Sequence, residues 1–155
     1  IRFGNDQLTQ EAIETAAKQA DVYDNIMEFP DRFETILGER GITLSGGQKQ
    51  RVSIARALAK NPKMLILDDC LSAVDTHTEH TILDNLKQVT KGKSSLIISH
   101  RVSSARLANR IFVLADGQIV ETGSHDELMA SKTLYYELYQ QQLNEELQQV
   151  STQPN

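Results

Sequence analysis

The chain has 155 residues, 39% of them hydrophobic and 24% charged, enough for one soluble globular domain with a true core. Its formal charge of −5 gives no broad cationic footprint, so nucleic acid is not an expected partner. A single cysteine, Cys70, excludes an internal disulfide and suits a reducing compartment, and no apolar run approaches the ~20 residues of a membrane helix.

In chain order, Thr9 caps a predicted helix over 10–20, and a second helical piece leads to Phe29-Pro30. The next helix opens at Leu44-Ser45-Gly46-Gly47-Gln48. Ser45 is a good N-cap, and Gln48 three residues on completes a capping-box pattern. Val52, Ile54, Ala55, Leu58 and Ala59 then keep a mainly helical spacing over 49–59 until Asn61-Pro62 stops it. Two glycines in a first turn cost about 1 kcal/mol each relative to alanine. A sequence that carries this cost needs bare backbone there, and the unpaired N–H groups at the positive end of the helix dipole make an anion site. Alone, such a motif is more often an ordinary capped helix with a flexible start.

The following run changes that balance. Residues 63–67 are apolar without alternation, which predicts a strand buried on both faces of a parallel sheet. Asp68 and Asp69 follow at its carboxyl end, where open α/β sheets bind ligands and where two carboxylates reach a magnesium ion and its waters. Beyond them come a helix near 78–89, a strand over 95–98 and a short helix near 103–107. Strands over 110–114 and 118–121 flank Asp116-Gly117, a strong two-residue hairpin turn. Ser124 and Glu127 form a second capping box, the last helix spans 134 to about 147, and 151–155 reads as a frayed tail. His77, His80 and His125 have no ligand spacing and read as surface residues, while Cys70 reads as a packing residue.

Taken together, these motifs resemble the C-terminal part of the nucleotide-binding domain of an ABC transporter. Leu44-Ser45-Gly46-Gly47-Gln48 matches that family's signature without a substitution, and the run ending in Asp68 matches its Walker B strand. Leu71-Ser72-Ala73-Val74-Asp75 resembles the D-loop, and Ser99-His100-Arg101 matches the switch-histidine loop. Thr35-Ile36-Leu37-Gly38-Glu39-Arg40-Gly41 is similar to the X-loop of exporters. The resemblance covers nearly the whole chain. It implies an α/β fold, a partial P-loop NTPase (RecA-like) parallel sheet with helices, plus part of the ABC α-helical subdomain. Residues 1–150 would be the C-terminal part of one such domain. Within it, about 5–60 would be the helical subdomain with the signature, 61–130 the Walker B, D-loop and H-loop core, and 131–150 the C-terminal helix.

By the same resemblance, Ser45, Gly46, Gly47 and Gln48 contact ATP held by a second nucleotide-binding domain. Asp68 holds Mg2+ through water, and Asp69 and His100 take catalytic roles at the attacking water and the γ-phosphate. Ser72 and Asp75 lie at the dimer interface, and Glu39, Arg40 and Gly41 meet the transporter's membrane domain. The implied location is the cytoplasmic face of the membrane, with the spanning segments outside this chain.

Two departures qualify the match. No G-x-x-x-x-G-K-[ST] loop occurs: before Gly92-Lys93-Ser94 the required earlier glycine is Lys87, and the segment precedes its strand. The Walker A strand is therefore absent, Ile1 reads as a cut edge, and the 155 residues alone are expected to be inactive and either oligomeric or poorly ordered in their second half. The other departure is Asp69, which stands where the family has glutamate, one methylene longer. A weak own site beside an intact signature suggests one half of a heterodimeric exporter, with a different subunit as partner. A soluble ABC ATPase without transport and a non-catalytic ATP-binding regulatory module are the alternatives; the X-loop argues against the former.

Overall fold

Thr9 fixes where the first helix starts. In the computed structural model, which describes residues 1, 7–38 and 43–151, its Oγ1 accepts the Ala12 N–H at 3.2 Å. Helix α1 (Gln10–Gln19) buries Ile13, Ala16 and Ala17 on one face, and α2 (Tyr23–Met27) and a 3-10 turn (Arg32–Glu34) follow. Helix α3 (Gly46–Ala59) packs on α1, where Ala17 and Ala55, both wholly buried, let the two backbones approach. The C-terminal end of α1 is tied twice more. Arg51 of α3 donates to the Asp21 carbonyl and lies 3.6 Å from its carboxylate, and Asn85 donates to the Gln19 carbonyl at 3.1 Å.

Strands β1 (Met64–Asp68) and β2 (Ser94–Ile98) pair in parallel, Ile66 opposite Leu96 and Asp68 opposite Ile98, with helix α4 (Thr76–Val89) between them in sequence. The parallel sheet expected from the sequence is therefore present as this pair, joined by a helical crossover. One expectation is corrected: β1 is not buried on both faces. Leu65 and Leu67 are 4% exposed, whereas Met64 and Ile66 are 56% and 57% exposed. Successive strand residues point to opposite faces, so this alternation means that the described residues cover one face only. On the open face Leu96 and Ile98 of β2 accompany Met64 and Ile66.

The chain divides after Ile98 into two compact units. The second comprises α5 (Val102–Ala105), the antiparallel strands β3 (Ile111–Ala115) and β4 (Gln118–Gly123), α6 (His125–Ser131) and α7 (Leu134–Ser151). Asp116 and Gly117, with φ of +49° and +74°, make the two-residue turn, and Ala115 pairs with Gln118 directly across it. Val102, Ile111, Val113, Leu128 and Tyr135 form this unit's core. The Ser124–Glu127 capping box is present as read from the sequence. Helix α7 runs beyond the expected end near 147 and includes Ser151, because its Gln- and Glu-rich stretch is made of good helix formers. Residues 152–155, the rest of the expected frayed tail, lie outside the described residues, as do Glu39, Arg40 and Gly41.

Candidate functional site

The glycine turn is built by its cap. Ser45 has extended backbone and its Oγ accepts the Gln48 N–H at 3.2 Å, while Gln48 Oε1 accepts the Ser45 N–H at 3.0 Å. Both contacts use acceptor capacity, so the cap itself leaves the Ser45 hydroxyl proton and the Gln48 amide NH2 as donors. Ser45 and Gly46 are exposed and Gly47 and Gln48 half-buried, while Leu44 is buried beneath them. The turn is thus open to an anion, with the first-turn N–H groups lacking intrahelical partners.

Bare backbone also has a structural reason here. A Cβ on Gly47 would sit 2.9 Å from the Ala73 carbonyl oxygen, whereas one on Gly46 would make an ordinary 3.5 Å contact with Ala73 Cβ. The sequence reading assigned both glycines to phosphate approach; at Gly47 the close passage of the 69–75 loop is a second cause.

That loop begins at the carboxyl end of β1. Asp68 and Asp69 are both exposed. Asp69 adopts φ +44°, a left-handed conformation that aspartate tolerates better than most residues, and its N–H donates to the Ile98 carbonyl at 2.9 Å. Cys70 is half-buried, and burial, with a smaller push from the neighbouring Asp69 and Asp68 charges, raises its thiol to about 11. It is a packing residue, as expected, and a poor nucleophile. Among the described residues no three His, Cys, Asp or Glu side chains gather as a metal cage. Two exposed carboxylates at a strand end nevertheless fit magnesium, which is held by one or two carboxylates together with phosphate oxygens and water.

One side chain joins the two halves of this site. Gln50, on the second turn of α3, accepts the Ala73 N–H at 2.8 Å through Oε1 and donates through Nε2 to Ser72 Oγ at 2.9 Å and to the Asp69 carbonyl at 3.4 Å. Ser72 Oγ in turn donates to the Asp69 carbonyl at 3.1 Å. Asp75 ends the loop as the N-cap of α4, accepting the Thr78 N–H at 3.0 Å. Hydrogen bonds from the Thr78 backbone and side chain hold its carboxyl below the ordinary range.

His100 belongs to the second unit and is exposed. Gln142 of α7 holds its loop from both sides, donating to the His100 carbonyl and accepting the Val102 N–H, each at 2.7 Å. Ser99 Oγ adds a contact to the Arg101 N–H at 3.0 Å. Sequence reasoning missed both Gln50 and Gln142. Gln50 had one local signal: it lies three and four residues after the glycine pair, on the same helix face. Gln142 had none, being 42 residues from its partner.

The geometry has known counterparts. The family model described as "ABC transporter" matches residues 3–72. The chain is 47% identical over 142 residues to ATP-binding cassette sub-family B member 5 of Homo sapiens, covering 92% of this chain and 11% of that protein. It is 47% identical over 148 residues to ABC transporter B family member 4 of Dictyostelium discoideum, covering 96% and 19%. A third relative, the mitochondrial potassium channel ATP-binding subunit of Mus musculus, is 46% identical over 142 residues, covering 92% and 20%. The fold superposes on a bacterial Atm1-family ABC exporter with ATP bound at a TM-score of 0.83 and 40% identity, covering 91% of this chain and 25% of that one. The chain therefore spans a quarter or less of each of these proteins. It belongs to the ABC transporter family, as a piece of an exporter-type nucleotide-binding domain.

Proposed function

We propose that this chain is the signature-bearing part of an ATPase that drives export across a membrane, and that its glycine turn completes an ATP site on a partner domain. The observation that carries this is the open, capped Ser45–Gln48 turn packed against the loop that leaves Asp68 and Asp69. In this reading the Ser45 hydroxyl, the Gly46 and Gly47 N–H groups and the Gln48 amide meet the phosphates of ATP bound to the partner. Asp68 holds Mg2+ through water, and the ion supplies neutralisation of phosphate charge. Asp69 orients the attacking water and His100 contacts the γ-phosphate. Ser72 and Asp75 face the dimer interface, and Glu39, Arg40 and Gly41 meet the membrane domain on its cytoplasmic face. About 5–60 act as helical subdomain, 61–130 as catalytic core and 131–150 as the C-terminal helix.

Asp69 makes the chain's own site slow. Its carboxylate is one methylene short of glutamate, and a misplacement of about 1 Å costs on the order of 100-fold in rate. An intact donor turn beside a slow own site fits a heterodimer, with the efficient site on the other subunit. Without a Walker A loop the 155 residues alone neither bind ATP tightly nor hydrolyse it. The test is Asp69→Glu in the full-length transporter, assayed for ATPase with and without candidate partners. Asp69→Glu is expected to raise turnover at least about 10-fold when the protein is alone. A wild-type homodimer that already matches the variant would remove the heterodimer from the account.

A further inference from the structure

The Gln50 bridge reaches further than packing. We propose that Gln50 is a positioning residue that fixes the glycine turn and the Asp69–Ala73 loop as one rigid piece, so that the face offered to a partner's ATP and the chain's own carboxylate move together. This rests on the function proposed above.

The argument is one of geometry and of chemical type. Both ends of the Gln50 amide are used, and all three contacts fall within five consecutive residues of one loop, Asp69, Ser72 and Ala73. The amide is the only side-chain group that both donates and accepts in a fixed fork without charge. Glutamate would keep the acceptor for the Ala73 N–H but lose the donor to the Asp69 carbonyl, and lysine would do the reverse. Gln50 is half-buried and sits one turn beyond Gly46 and Gly47 on the same face of α3, where Gly47 already touches the Ala73 carbonyl. Bonded at residues 69, 72 and 73, the loop has little freedom to shift without carrying the first turn of α3 with it. Asp69 is held through its own backbone: its N–H on Ile98 and its carbonyl on Ser72 and Gln50. Loosening the Gln50 contacts frees the first turn of α3, which completes the partner's efficient site, to wander by fractions of an ångström, and this reduces rate without removing any group that binds ATP.

The experiment measures steady-state ATPase of the full-length transporter as wild type, Gln50→Ala, Gln50→Glu, Ser72→Ala and the Gln50→Ala/Ser72→Ala double variant, together with each protein's melting temperature. The expected result is a fall in kcat of about 10-fold or more for Gln50→Ala with KM for ATP within about twofold, and Gln50→Glu in between. The double variant should lose less than the product of the single losses, because the two side chains share one network. Wild-type kcat in Gln50→Ala, or a loss that appears in KM instead, overturns the proposal. Should Gln50→Ala fail to assemble, Gln50→Glu decides: an intermediate kcat at unchanged melting supports the bridge, and a wild-type kcat overturns it. An inactive wild-type transporter would instead sink the function proposed above, while an active one indifferent to Gln50 sinks only this inference.

Discussion

Substituting the two adjacent glycines one at a time should separate their reasons for being there. Alanine at either position recovers helix propensity of up to about 1 kcal/mol. The gain is common to both variants, so their difference in stability isolates the contact with Ala73. At Gly46 the new Cβ meets Ala73 Cβ at 3.5 Å, an ordinary van der Waals separation. At Gly47 it meets the Ala73 carbonyl oxygen at 2.9 Å, and that atom is backbone, braced by the hydrogen bond from the Ala73 N–H to Gln50. Overpacking of this kind costs about 1–3 kcal/mol. For a domain of this size each kcal/mol moves the melting temperature by roughly 2–4 °C. Gly47→Ala should therefore melt at least about 2 °C below Gly46→Ala in the full-length protein, followed by differential scanning fluorimetry. Gly46→Ala should melt at or slightly above wild type. Equal melting of the two variants would refute the packing argument and return both glycines to a purely ligand-facing role.

Other expectations follow from single contacts. Cys70, with its thiol raised from 9.0 to about 11, should carry roughly 100-fold less thiolate at pH 7.5 than an ordinary cysteine and react with iodoacetamide correspondingly slowly. Rapid alkylation of the folded protein would contradict the burial. The carboxyl of Asp75 is depressed by its cap contacts with Thr78, so its contribution is present above the ordinary value of 3.8 and lost as the pH falls below it. Asp75→Asn should keep the cap yet abolish the acid-induced loss of amide protection at the start of α4, whereas Asp75→Ala should cost about 1 kcal/mol at neutral pH. Gln142→Leu should speed hydrogen exchange at the Val102 amide, whose acceptor it removes, and lower ATPase through the His100 loop.

What the sequence disclosed was what is local. The capping boxes at Ser45–Gln48 and Ser124–Glu127 and the Asp116-Gly117 turn involve residues at most three apart, and their chemistry is fixed by residue type. The strands β1 and β2 were each legible as short apolar runs on either side of a helix, although their pairing with each other was not. Contacts between distant residues were not legible. Gln50 meets Ala73 across 23 positions and Gln142 meets His100 across 42, and a polar side chain on a helix gives no sign of its partner. The apolar run of β1 suggested burial on both faces because composition reports what a strand can bury; the neighbours that would cover it are a separate matter. Asp75 was assigned by resemblance to a dimer interface, and its position adds a local task, capping α4.

The central claim is that the Ser45 turn serves a nucleotide bound to another subunit. Vanadate trapping of a photoactivatable ATP analogue in the assembled full-length transporter tests it, comparing wild type with Ser45→Arg and recording which subunit is labelled. The account predicts that Ser45→Arg abolishes trapped label on the partner while the subunit carrying the substitution keeps its own bound nucleotide. Loss of label from the substituted subunit, with the partner still trapping, would contradict it.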